Sequence, residues 1–361
     1  MFDINFFKNS DKLKKKIINN QLSTDDIDMI NNELENIRLK SPYIYNIETT
    51  NYCNMKCVMC PRTMFMTRKN IWIDDDMFKD ILDSVKVYNT KDLDKFWKWL
   101  EEDFKQDPKE VSENGFYFSV VSKHLVLHGF GEPFLDKKLV ERVKMCTEKK
   151  IPTYFSCTPA TMTVDKAKKV IDAGLGVLKF SLDAMEEKKI QAIRGKRANF
   201  KESVDKILEL IDYKDKNNLN TLLVPCMIDM AENNQDLEMQ QEFLNFWKGK
   251  NVYAYVKSQD NRWLYEKDEN LKKNKSHYAD QYCEFPWISS TIMADGNVVP
   301  CTQISNSELV MGNIKEESLD EIWNGEKYKN LREMHISGNF PKGHKCKENC
   351  DLKKIFNYIN K

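Results

Sequence analysis

Three cysteines in one short loop constrain this chain more than any other feature. They lie in the run Thr50-Asn51-Tyr52-Cys53-Asn54-Met55-Lys56-Cys57-Val58-Met59-Cys60-Pro61-Arg62, spaced C-x3-C-x2-C. Thiolates are soft ligands, and a Cys-rich cage selects iron–sulfur clusters or zinc. Three closely spaced thiols can hold three corners of a [4Fe–4S] cube and leave the fourth iron open to a small molecule. A closed four-Cys site usually carries electrons or stiffens a loop. The plainer alternatives are a zinc loop or a few buried thiols.

Composition narrows the setting. The chain has 361 residues and is 41% hydrophobic, enough for one barrel-sized domain and a smaller one. Lys+Arg and Asp+Glu both number 56, so no polyanionic partner such as nucleic acid is expected. No apolar run of about 18 residues is present, so no membrane span is predicted. The start, Met1-Phe2-Asp3-Ile4-Asn5, lacks the layout of a signal peptide. Ten cysteines without an export signal argue for reduced thiols, metal binding and the cytoplasm.

Taken in order, residues 1–41 read as two helices, the second capped by Ser23 and striped with Ile27, Ile30, Leu34 and Ile37. Pro42 to Thr49 reads as a buried strand that leads into the cysteine loop. Residues 76–88 form an amphipathic helix. Strands are then predicted near 123–128, 151–156, 176–181, 220–228 and 251–257, and helices near 136–149, 163–173, 200–216 and 235–249. Six strands alternating with helices predict parallel β/α units, whose functional residues sit at the C-terminal strand ends. Residues 90–122 break the repeat. Phe96, Trp99, Leu100 and Phe104 form an apolar stripe that ends at Asp107-Pro108. This segment reads as an insertion packed on the barrel, with a substrate lid as the alternative.

The cysteine loop closely resembles that of the radical S-adenosylmethionine (radical SAM) superfamily, and the resemblance extends over residues 42–361. It implies an incomplete (β/α)6 TIM-like barrel at 42–257. A [4Fe–4S] cluster on Cys53, Cys57 and Cys60 would chelate S-adenosylmethionine and release a 5′-deoxyadenosyl radical. The segment His128-Gly129-Phe130-Gly131-Glu132-Pro133 matches the family's Gly-Gly-Glu element at Gly129, Gly131 and Glu132. The backbone of that element meets the cofactor's amino group. Ser156-Cys157-Thr158-Pro159-Ala160 is a variant of the family's Thr-Asn-Gly. The resemblance places Ser181 and Asp183 near the cofactor ribose or the substrate, and Arg194 by the cofactor carboxylate. Simple capping and a surface arginine are the alternatives. Met59 stands where an aromatic residue often covers the adenine.

From residue 258 the pattern changes. Cys283, Gly296-Asn297-Val298-Val299-Pro300-Cys301, Met311-Gly312-Asn313-Ile314, Ser318-Leu319-Asp320-Glu321-Ile322-Trp323 and Cys346-Lys347-Glu348-Asn349-Cys350 follow. Together they resemble a SPASM/Twitch auxiliary-cluster domain. Cys283, Cys301, Cys346 and Cys350 suffice for one further [4Fe–4S] cluster, which favours the single-cluster Twitch type. A C-terminal zinc knuckle is the alternative.

Of the remaining thiols, Cys146 reads as core. Cys157 and Cys226 lie near strand ends, where either could give a hydrogen atom to a substrate radical. Asp229 and His128 are further cleft candidates. The resemblance implies hydrogen abstraction from a C–H bond, with oxidation or epimerisation of a sugar-like or other small polar substrate as outcome. A flavodoxin- or ferredoxin-type reductant would supply the electron. A peptide-modifying maturase is the rival expectation, although the residues before 42 are too few for a peptide-recognition domain. An iron–sulfur electron carrier or a zinc scaffold is the non-enzyme alternative.

Overall fold

Strict alternation along the strands sorts the apolar residues into two layers, and those layers define the architecture. The computed structural model describes all residues except 20–21, 108, 232, 260–281, 349 and 351–361. Among the described residues, nine strands form one sheet: β1 (Tyr43–Ile47), β2 (Leu125–Val126), β3 (Thr153–Cys157), β4 (Val177–Ser181), β5 (Leu222–Ile228), β6 (Tyr255–Lys257), β7 (Ser289–Ile292), β8 (Asn297–Val299) and β9 (Gly312–Asn313). The spatial order is β6-β5-β4-β3-β2-β1-β7-β8-β9. β1 to β6 are parallel and sequential, as right-handed β/α crossovers produce. This is the wall of a partial TIM-like barrel. β7 pairs with the other edge of β1, also in parallel, and β8 and β9 continue antiparallel. The strands after the expected domain boundary therefore extend the sheet of the core.

Residues Leu125, Phe155, Cys157, Leu178, Phe180, Leu223 and Met227 face outward into the helix layer. Their neighbours Val126, Tyr154, Val177, Val224, Cys226 and Tyr255 face inward. The period of two is the pleat of the strand. The inner face is closed by segments outside the repeat. Phe2, Phe6 and Phe7 are fully buried there, each contributing about 1.5–3 kcal/mol by leaving water. The Phe2 ring stacks on Tyr117 with centroids 5.0 Å apart. The first helix is Ile4–Asn19; the second, Thr24–Ile37, carries a capping box between Ser23 and Asp26.

The insertion packs onto the same inner face. Its helix, Thr90–Phe104, is capped by Asn89 and buries Leu93, Phe96, Trp99 and Leu100. It stops at Lys105, which adopts a left-handed conformation, before the predicted Asp107-Pro108. Then come the short helix Glu113–Phe116 and one wide π-turn, Tyr117–Val121, which periodicity did not predict. β2 is shorter than expected. The His124 ring pairs with the Val120 carbonyl at 2.6 Å and leaves the ladder, although Leu127 still donates to Tyr154 at 2.8 Å. The helix predicted to run to 88 ends at Asp83. A helix at Glu187–Arg194 was not foreseen. Among the described residues, no helix is long and apolar enough to cross a membrane, and none of the ten cysteines forms a disulfide.

Candidate active site

The cysteine loop leaves β1 and is pinned by a buried amide. Asn51 accepts from the Ile71 backbone N–H at 2.7 Å and donates to the Lys69 carbonyl at 2.8 Å, so it holds the returning chain on both sides. Cys57 is buried and Cys53 and Cys60 are half-buried, in an apolar nest with Met55, Met59, Ala184, Ile190 and Ile193. Burial pushes the Cys53 thiol up to about 11 and raises Cys60 as well. Such thiols keep their protons until a metal displaces them.

The unforeseen helix ends against this loop. Val58 donates to the Ile193 carbonyl at 2.9 Å and Lys56 to that of Arg194 at 3.4 Å. Arg194 Nη1 lies 3.6 Å from Cys57 Sγ, and Nε donates to Asp183 Oδ2. Asp183 Oδ1 also accepts from the Ile228 N–H at 3.1 Å. Burial alone would lower the Arg194 pKa, but the Asp183 carboxylate and the Cys57 sulfur outweigh it and hold the guanidinium above its ordinary range. Two residues that resemblance assigned to the cofactor are thus brought together beside a thiol of the cysteine loop.

The glycine loop after β2 lies against the other side of the cysteine loop. A Cβ on Gly131 would sit 2.1 Å from the Thr50 carbonyl oxygen. The Glu132 N–H donates to the Tyr52 carbonyl at 2.7 Å. Only glycine permits this approach. The Glu132 carboxylate, in contrast, turns into the protein. It accepts from the N–H groups of Thr158 at 2.9 Å and Phe134 at 3.4 Å, and burial raises its pKa to about 7 against those bonds.

One pair at this junction was missed by sequence reasoning. Glu48, one residue past β1, is buried and meets Arg68 through two bonds of 2.8 and 2.7 Å. It also accepts from Phe130 N–H and Ala294 N–H, each at 3.2 Å. Arg68 Nε reaches the Ser305 carbonyl at 2.7 Å. The pair joins β1, the glycine loop and the C-terminal segment. The available signal was an acidic residue at an inward strand position, where burial demands a partner; nothing local marks Arg68.

Below this junction the inward strand residues enclose a cavity of about 350 Å³. Gly129, His128, Ser156, Lys179, Ser181, Asp183, Cys226, Tyr255 and Lys257 line it. Glu113, Phe116 and Tyr117 of the insertion form part of the wall, as do Thr291, Met293 and residues 302–304. The insertion therefore contributes wall to the cavity as well as core. His128 accepts from the Ser156 N–H through Nδ1 at 3.2 Å, which puts its proton on Nε2. Burial, then the charges of Lys179 and Lys257, push its pKa down to about 3, so it is neutral. Ser156 and Ser181 hydroxyls stand 3.5 Å apart, and the buried Thr291 hydroxyl makes no hydrogen bond among the described residues.

A model of the Radical SAM superfamily matches residues 47–234, which contain the cysteine loop, the glycine loop and the helix Glu187–Arg194. The chain belongs to the radical SAM superfamily. The SPASM model, an iron–sulfur cluster-binding domain, matches residues 283–351 and includes Cys283, Cys301, Cys346 and Cys350. This radical SAM enzyme is similar to the S-adenosyl-L-methionine-dependent 2-deoxy-scyllo-inosamine dehydrogenase of Niallia circulans. The two are 36% identical over 73 residues, 20% of this chain and 29% of that relative's length. It is 20% identical over 352 residues to the tungsten-containing aldehyde ferredoxin oxidoreductase cofactor-modifying protein of Pyrococcus furiosus, covering 86% and 89% of the two chains. Among solved structures, Streptococcus suis SuiB bound to the precursor peptide SuiA shares the fold. Its TM-score is 0.52 at 13% identity, over 96% of this chain and 83% of that one.

Membership implies S-adenosylmethionine and iron–sulfur clusters, and the donors suit them. Three soft thiols share one nest, and Gly131 brings the glycine loop into direct contact with the loop that carries them. Among the described residues no three His, Cys, Asp or Glu side chains converge as ligands of a single metal ion. Thiols on separate irons of a cubane do not require that convergence. Met59 packs in the same nest as the three thiols. Cys226 faces the cavity, whereas Cys157 points outward into the helix layer. Asp229 is exposed and engaged by the Ala231 N–H and Gln240 at 3.2 and 2.7 Å; it does not line the cavity. In the C-terminal segment, Cys283 precedes the short helix Phe285–Ile288, Cys301 follows β8, and Cys346 lies in the turn Lys345–Glu348.

Proposed function

We propose that this enzyme abstracts hydrogen from a C–H bond of a small polar molecule held in the barrel cavity, and oxidises or epimerises it. The observation that carries the reading is the cavity itself. Its size is that of a small-molecule site, and its walls alternate aromatic faces with the hydroxyl groups of Ser156, Ser181 and Thr291. A sugar-like substrate suits such walls. A peptide would need an open groove along the strand ends.

Cys53, Cys57 and Cys60 would hold the catalytic cluster, with Gly129, Gly131, Ser181, Asp183 and Arg194 around the cofactor. When bound, cluster and cofactor supply one-electron cleavage of a sulfonium and a hydrogen-abstracting radical. The Cys57–Arg194–Asp183 chain then fixes the loop and places positive charge beside the thiol nest. Glu132 acts as a brace between the glycine loop and the end of β3. Cys283, Cys301, Cys346 and Cys350 would hold a single auxiliary cluster. A flavodoxin- or ferredoxin-type protein of the cytoplasm would deliver the electron.

Cys226 supports epimerisation as one of the two outcomes. Burial raises its thiol pKa, which keeps the sulfur protonated, and it faces the cavity. An S–H in that place can return a hydrogen atom to a substrate radical, as epimerisation requires; the sulfur radical left behind would take one electron from the flavodoxin- or ferredoxin-type reductant and one proton from solvent to restore the thiol. The test is anaerobic reconstitution, iron and sulfide analysis, then dithionite with S-adenosylmethionine. About eight irons per chain and formation of 5′-deoxyadenosine are expected, four irons per cubane. Zinc in place of iron, or iron without deoxyadenosine, overturns the proposal.

A further inference from the structure

Building on this small-molecule reading, we infer that the substrate carries a carboxylate or phosphate group, which Lys179 and Lys257 bind inside the cavity. Among the described residues, five charged ones line that space: Glu48, Glu113, Lys179, Asp183 and Lys257. The carboxylates of Glu48 and Asp183 are already matched by Arg68 and Arg194. Glu113 accepts from the Ser258 N–H at 3.2 Å and from its hydroxyl at 2.7 Å. Among the described residues the two lysines have no carboxylate within ion-pair distance. Lys179 is only 9% exposed; its ammonium donates to the Tyr255 hydroxyl at 2.9 Å and lies 5.3 Å from the Phe116 ring centroid. Among the described residues neither lysine forms an ion pair with a carboxylate.

Strand register places these cations on either side of one level. Ser181, Cys226 and Tyr255 are neighbours across β4, β5 and β6; Lys179 precedes that level and Lys257 follows it, opposite Ile228. Both act on the charge of His128 and of Cys226, so both reach the same part of the cavity. A buried cation without an anion is costly, and the cost falls when a ligand brings the opposite charge. A compact ammonium suits a carboxylate or phosphoryl oxygen as a point charge. The neutral His128 adds an Nε2–H donor and no opposing charge. A cationic ligand would meet two like charges.

The test is calorimetric titration of the reconstituted, S-adenosylmethionine-loaded enzyme at constant ionic strength with inorganic phosphate, acetate and methylammonium. Saturable binding of phosphate or acetate is expected, with no binding of methylammonium. Tighter phosphate assigns a phosphoryl group, and tighter acetate assigns a carboxylate. Lys257→Met and Lys179→Met should each weaken the anion by about tenfold or more, the loss of one charge-assisted contact, and Lys179→Arg should restore it. Equilibrium dialysis should find S-adenosylmethionine affinity unchanged in all three variants. Absence of saturable anion binding, equal binding in the methionine variants, or methylammonium binding as tightly as the anions overturns the inference. So does a parallel fall in S-adenosylmethionine affinity, which would assign the lysines to the cofactor. Because the titration reads binding alone, an enzyme that forms no 5′-deoxyadenosine would refute the proposed reaction and leave this result standing.

Discussion

Arg68 holds Glu48 through both terminal nitrogens, at 2.8 and 2.7 Å, while its Nε is bonded to the Ser305 carbonyl. Three chain segments distant in sequence meet at this one fork. Removing one member of a buried pair leaves an uncompensated charge, at a cost of about 3–5 kcal/mol. Arg68→Leu should therefore lose that much stability in denaturant unfolding. Combining it with Glu48→Gln should recover part of the loss, since the orphaned charge is then gone. Equal losses in single and double variants would show that the pair is not coupled.

Gly131→Ala tests the approach of the glycine loop to the cysteine loop. The new methyl would lie 2.1 Å from the Thr50 oxygen and 2.8 Å from Asn51 Cα, both backbone, so neither can swing aside. Overpacking of this kind costs about 1–3 kcal/mol. We expect a lowered melting temperature together with weaker S-adenosylmethionine binding in equilibrium dialysis. Unchanged binding would detach this glycine from the cofactor.

His128 gives the fold an acid-sensitive segment. Burial lowers its pKa from 6.5 to about 3 in the folded chain, so between those values the unfolded chain takes up the proton first. Its contribution is complete above pH 6.5 and is lost as pH falls toward 3, with a slope of up to about 1.4 kcal/mol per unit. His128→Gln should flatten stability against pH over that interval. A slope identical to that of the parent chain would contradict the neutral imidazole.

The two groups of cysteines should separate by function. Cys57→Ala removes one of three ligands at the open cluster and should abolish 5′-deoxyadenosine formation. Cys301→Ala should leave that cleavage largely intact, lower iron by about four per chain, and impair product formation. Full product yield after loss of the second cluster would remove it from the reaction.

Legibility in the sequence followed the range of the physical signal. Strand and helix periods are local, and β3 to β6 emerged within a few residues of their predicted ends. Thiol spacing is local too. Sidedness was readable and was passed over: in Tyr154-Phe155-Ser156-Cys157 the polar Ser156 marks the inner face, which sends Cys157 outward. The helix Glu187–Arg194 had its own signs, Glu187 in the first turn and Gly195 with positive φ just past the last. The Glu48–Arg68 fork and the pairing of β7 with β1 were beyond reach. They depend on which distant segments the barrel brings together, and no spacing encodes that.

That pairing of β7 with β1 also has a consequence for biosynthesis. Tyr43 leaves the ribosome well before its partner Ser289, with β2 to β6 made in between. Until then one edge of the first strand has open hydrogen-bonding groups, a state prone to mispairing. The nascent chain cannot complete its sheet by growing outward from the N-terminus. Its final wall must be set in place after translation has passed the barrel, which makes the last strands a checkpoint for the first.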